Sequence, residues 1–120
     1  MDTIKTLVIE PLRRPELRDI DPTITAIGKT IGGYAEPLPL DRRTTLWCDG
    51  EGAIKNLKPN RTIRLSQDSR LADAGKPIII RGTFVITGPH PQDGPLGLDD
   101  EQIGRYAAMF ADPEAPCRLP

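Results

Sequence analysis

Thirteen prolines and eleven glycines among 120 residues confine this chain to short helices and strands. Proline fixes φ and removes a backbone donor, and glycine weakens the interior of either element. Each segment between them is therefore read on its own. Residues 3–10, with Ile4, Leu7, Val8 and Ile9, read as a strand that Pro11 stops. Residues 16–20 form a short extended piece expected to pair back on it as a hairpin. Asp21-Pro22 is a helix start, a capping acid before a proline at the first helical position. Ile24, Ile27 and Ile31 then share one helical face, and Gly32-Gly33 closes the helix. Residues 34–40 are extended, but Pro37 and Pro39 cannot donate ladder bonds, which assigns the segment to a sheet edge or a bulge.

Residues 44–48 read as a further strand, ended by the turn Asp49-Gly50-Glu51-Gly52, and residues 53–57 are expected to return along it. Pro59 breaks regular structure, 62–65 is a short strand, and 66–76 is a polar loop. Pro77 opens the strongest strand signal, 78–86, whose apolar start on both faces predicts a place inside the sheet. After a loop at 88–97, Asp99 caps a last helix with Gln102 as its capping-box partner. Ile103, Tyr106, Ala107 and Phe110 then fall on one face. Strands gathered between two helices predict an α+β domain over 1–110, a mostly antiparallel sheet with both helices packed on one face. A Pro-rich C-terminal tail, 111–120, follows.

Several function classes fall to composition. Lys and Arg total 16 against 17 Asp and Glu, so there is no global field to gather nucleic acid or an anionic membrane. One Trp, two Tyr and two Phe are too few and too scattered for a base-stacking platform. Cys48 and Cys117 form no CxxC pair and His90 is the single histidine, which argues against structural zinc. Cys48, in an apolar run with Trp47, is expected to be a small buried core residue, and Cys117 an exposed free thiol. The first residues lack a signal-peptide pattern, so a reducing cytoplasm is the expected compartment.

No nucleophile elbow, phosphate loop, dinucleotide fingerprint or HExxH is present, and Gly32-Gly33 follows a helix instead of opening one. His90 reads as an ordinary loop residue. Lys55, Lys58, Arg61 and Arg64 recur every third position in a stretch free of acids. With Asn60 they form either an anion cradle, centred on Arg61, or a solvated basic loop. Glu36, beside Tyr34, is a structural ion pair if it meets Arg61 or Arg81, and an acid or base if it stands alone in a cleft.

Taken in order, Gly32-Gly33-Tyr34-x-Glu36, the strand ending at Cys48 with its acidic-Gly turn, Lys55-x-Leu57-x-Pro59-Asn60-Arg61, Arg81-Gly82-Thr83-Phe84-Val85-Ile86 and Leu98-Asp99-Asp100-Glu101-Gln102-Ile103 resemble a small family of uncharacterised domains encoded in bacteriophages, plasmids and bacterial genomes. The likeness runs from the first strand to Phe110. It implies a fold and a mobile-element context and no catalytic residues. The expected function is a non-catalytic accessory binding protein of a phage or other mobile element. It would bind a host protein or a small anionic molecule through Tyr34, Glu36, Lys55, Lys58, Asn60, Arg61 and Arg64, and interference with host defence is one version of this role. A small enzyme acting on a phosphate-containing molecule is the alternative, and a nucleic-acid-binding protein a further one. No cofactor or metal is expected.

Overall fold

The computed structural model describes residues 2–64, 76–91 and 94–113. The chain runs β1 (Ile4–Ile9), β2 (Glu16–Ile20), α1 (Ile24–Ile31), β3 (Ala35–Asp41), β4 (Thr44–Asp49), β5 (Pro59–Arg64), β6 (Pro77–Arg81), β7 (Phe84–Thr87) and α2 (Asp100–Met109). Five strands form one sheet in the order β2-β1-β7-β4-β3, and β5 with β6 forms a second. All pairings are antiparallel, with Val8 opposite Val85, Leu46 opposite Ile86 and Pro37 opposite Trp47. The single α+β domain and its antiparallel sheet are as the sequence predicts.

The helices, however, do not share a face. Strand side chains alternate, and this divides the core in two. Leu7, Ile9, Leu46, Phe84 and Ile86 pack with Tyr106 and Phe110 at α2 and with Ile63 and Ile80 of the small sheet. Val8, Trp47 and Val85 point the other way and pack with Ile27 and Ile31 of α1. So α1 covers one side and α2 the other, because the inner strands are apolar on both faces and both must be shielded from water.

The 78–86 run is also corrected. It is not one strand: Gly82, at φ 77°, breaks it. Residues 77–81 pair with β5 in the small sheet, and only Phe84–Thr87 lies inside the large one, between β1 and β4. The φ at Gly82 is what requires glycine at this crossing; a Cβ there would lie 2.9 Å from Leu57 Cδ1, the tip of a side chain that can shift. Residues 53–56 are turn, and β5 begins at Pro59 itself.

Local signals account for the helix ends. Thr23, not Asp21, caps α1, its Oγ1 accepting from Ala26 N at 3.0 Å. Asp99 and Gln102 make the expected capping box on α2. Gln102 Nε2 also donates to Arg43 O at 2.8 Å and to Thr44 Oγ1 at 3.0 Å, fixing α2 against the start of β4. No helix among the described residues is long and apolar enough to cross a membrane. Cys117, most of the polar loop at 66–76 and most of the tail lie outside the described residues.

Candidate functional site

Separate stretches of sequence meet where α1 hands over to β3. Gly32 caps α1 at φ 84°, a left-handed backbone that glycine adopts without strain. At Gly33 a Cβ would sit 2.7 Å from Asp49 Cγ and closer still to Oδ2. The Asp49 side chain is 1% exposed and accepts from Lys55 Nζ at 2.8 Å and from Glu51 N at 2.9 Å. The hydrogen bond from Lys55 holds the Asp49 carboxyl below its ordinary range, and the same bond raises the Lys55 ammonium above its own. Gly50 N donates to the Tyr34 carbonyl at 3.2 Å, and a Cβ on Gly50 would collide with Glu36 Oε2. The Gly-Gly-Tyr-x-Glu segment, the Asp49-Gly50 turn and Lys55 are thus parts of one packed corner.

Tyr34 projects from this corner, 73% exposed. It stands on the rim of an open hollow of about 560 Å³, with Ile24 and Lys29 of α1, Pro37 and Trp47 of the sheet, and His90 of the 88–97 loop. Trp47 meets the His90 ring edge-on at 4.9 Å, and its indole Nε1 donates to Thr87 Oγ1 at 2.9 Å. The floor is therefore anchored and the rim is free.

Glu36 faces a second groove of about 480 Å³ between β4 and β6, with Cys48, Asp49, Ile79 and Arg81. Arg81 Nη1 donates to Leu57 O at 3.1 Å. Burial, then the charges of Glu36 and Asp49, push the Cys48 pKa up to about 11, so this thiol stays protonated near neutral pH and is a poor nucleophile.

The structure divides the sequence candidates. Tyr34, Glu36, Lys55 and Lys58 are exposed. Asn60 and Arg61 are internal, Arg61 only 1% exposed. Asn60 Nδ2 donates to Ile9 O and to Gly82 O, both at 2.8 Å, which ties the small sheet to the large one. Arg61 donates to Phe110 O at 2.9 Å, to Arg13 O at 2.6 Å and to Asn60 Oδ1 at 2.8 Å. Arg61 is thus a brace, as one reading of the sequence allowed, and two backbone carbonyls and Asn60 are among its partners. Arg61 is not among the residues that line the Glu36 groove. Arg64 ends β5. Asp49, Ile24 and Lys29 complete the corner and the hollow without a distinct sequence signal. Asp49 reads locally as a turn residue, and its partners come from α1's end and from Lys55.

Among the described residues no cluster of three or more His, Cys, Asp or Glu side chains could hold a metal ion. No curated protein and no solved structure matches the chain. The family described as Domain of unknown function (DUF3846) matches residues 4–111. That span takes in every element from β1 to α2, together with the Gly33–Asp49–Lys55 corner and the Asn60–Arg61 brace, so the chain belongs to the DUF3846 family.

Proposed function

We propose that this domain is a non-catalytic binding module that holds a partner protein against the Tyr34 face. The observation that carries the reading is Tyr34 itself, an exposed aromatic ring on a rigid base. Its backbone is held between the Gly32 cap and the Gly50 N–H, so the segment that carries the ring need not be ordered on binding. Tyrosine in such a position is a typical interface anchor. Ile24, Pro37 and Trp47 add apolar surface beside it, in a hollow too open to enclose a small molecule in the usual way. Acid–base chemistry would have to rest on Glu36, since Cys48 is held protonated and Arg61 is committed to internal carbonyls. A small anionic ligand keeps Lys58, but Arg61 is buried and Lys55 is bonded to Asp49. In a phage or other mobile element, the context that the family resemblance implies, the partner would be a cytoplasmic host protein. Interference with host defence is one role that would fit.

The test is affinity capture followed by native mass spectrometry, on the wild type and on Tyr34→Ala. A partner protein retained by the wild type and lost from Tyr34→Ala, at unchanged melting temperature, supports the reading. Equal capture by both proteins overturns it, and so does a bound small anion that Lys58→Ala releases.

A further inference from the structure

The two edges of the large sheet are built differently. β3 carries Pro37 and Pro39, neither of which can donate to an added strand. β2, Glu16-Leu17-Arg18-Asp19-Ile20, contains no proline and has β1 as its one neighbour among the described residues. Leu17 pairs with Leu7 on β1, so its side chain continues the α2-side core outward, yet it is 52% exposed. An edge with no proline and no second strand beside it among the described residues, and with an apolar residue at its middle, is a template for strand addition, and its charged residues decide which strand can add.

From this edge we infer that the chain forms a symmetric dimer by antiparallel pairing of β2 with β2 of a second copy, centred on Leu17. The charges choose both the partner and the register. In that register Leu17 faces Leu17, and each Glu16 faces Arg18 of the other copy, giving two opposite-charge cross-strand pairs. Within one chain Arg18 Nη2 already donates to Glu16 Oε1 at 2.9 Å, so both side chains lie on the same face and reach the same strip of the edge. Shifting the centre to Arg18 sets arginine against arginine. Placing it between Leu17 and Arg18 sets Glu16 against Asp19, which repel. Foreign strands meet three charged residues out of five, which is negative selection against general stickiness. The isologous geometry is the usual one for a two-fold dimer. It joins the two sheets into one and leaves the β3 edges at its two outer ends. The Tyr34 corner, which leads into β3, then appears once at each end, so the dimer would bind bivalently.

The experiment is analytical ultracentrifugation over a concentration series on the wild type, Glu16→Arg, Arg18→Glu and an equimolar mixture of the two variants. The wild type is expected to dimerise. Each variant alone places like charges opposite each other and should self-associate about tenfold more weakly or worse. The mixture restores opposite-charge pairs across the edge and should recover a heterodimer of wild-type strength. Glu16 and Arg18 are surface side chains, and far-ultraviolet circular dichroism checks that both variants stay folded. Should a variant fail that check, Leu17→Lys, which sets two cations face to face at the dyad, replaces it and should be monomeric. A wild type that stays monomeric overturns the inference, as do variants that dimerise like the wild type or a mixture that stays monomeric.

Discussion

Arg61 Nη2 lies 2.9 Å from the carbonyl oxygen of Phe110, the residue that caps α2. A guanidinium at this point meets one of the carbonyls that a helix end leaves without an intrahelical partner, and its positive charge suits the negative end of the helix dipole. Its other bonds, to Arg13 O and Asn60 Oδ1, join the turn after β1 and strand β5 to the same point. One side chain thus holds three parts of the fold that are far apart in sequence.

Truncation of this brace should be severe. Arg61→Ala is expected to lower the unfolding free energy by roughly 2–4 kcal/mol, since buried carbonyls left without donors cost about 1–3 kcal/mol each. Arg61→Lys should recover little of this, because an ammonium lacks the planar fork that reaches several oxygens at once. Glu36→Ala should change stability by less than about 0.5 kcal/mol, as an exposed substitution. Urea unfolding of the three variants is the check. A loss at Glu36 equal to that at Arg61, and not additive with it, would restore the ion-pair reading.

A second expectation concerns the core on the α2 side. Phe110 meets Phe84 edge-to-face at 5.3 Å and stacks near Tyr106 at 6.5 Å. Phe110→Ala should destabilise by about 3–5 kcal/mol, as for a large aromatic removed from a closed core. A loss under about 1 kcal/mol would mean that the end of α2 is peripheral to the fold.

Much of this architecture was legible locally. The Asp99–Gln102 box, the Gly32 cap, the edge prolines of β3 and the apolar run of β1 that Pro11 stops are short-range signals, and each marks its element. What escaped was set over long distances. The break at Gly82 is invisible because an apolar run looks the same whether it serves one sheet or two, and the bond made at the break, from Gly82 N to Lys58 O at 2.8 Å, comes from 24 positions away. The placement of α1 and α2 on opposite faces was in part readable. A strand such as Phe84–Thr87, apolar on both sides, needs cover on both. For Arg61 the sequence allowed a brace but gave no sign of its partners. A cation at every third position looks like a solvated stripe, and the acceptors that bury it lie 48 and 49 positions away.

The same reasoning predicts a steric coupling at the candidate site. Gly33→Ala would drive its new methyl into the Asp49 carboxylate, which cannot swing aside while it is bonded to Lys55 and to Glu51 N. Gly33 has no unusual φ, so backbone strain plays no part. A loss of about 1–3 kcal/mol is expected, the usual range for overpacking. In an Asp49→Ala background the methyl finds room, so the Gly33→Ala penalty should shrink. A double-mutant cycle measures this directly. Strict additivity would mean that the two residues do not compete for the same space.

The last prediction is the pH dependence of that corner. The Asp49 carboxyl is held below its ordinary 3.8 chiefly by the hydrogen bond from Lys55, helped by Glu51 N and opposed by burial. In the unfolded chain it returns to about 3.9. The folded state therefore binds a proton less readily than the unfolded one. The stabilisation this creates is fully present above the unfolded value and is lost as pH falls through the folded one. Asp41 and Asp99 are depressed in the same direction, so acid should weaken the wild type through all three. To isolate Asp49, unfolding free energies of the wild type and Asp49→Asn are compared from pH 7 downward, so that Asp41 and Asp99 cancel. The difference should be constant down to about pH 5, then shrink through pH 4 and below as Asp49 protonates. At the alkaline end Lys55 acts in the opposite sense. Its raised value means that its contribution is complete below about 10.4, the ordinary lysine value, and fades above it. A difference that stays flat from pH 7 to pH 3 would show that the Asp49–Lys55 bond contributes nothing to folding.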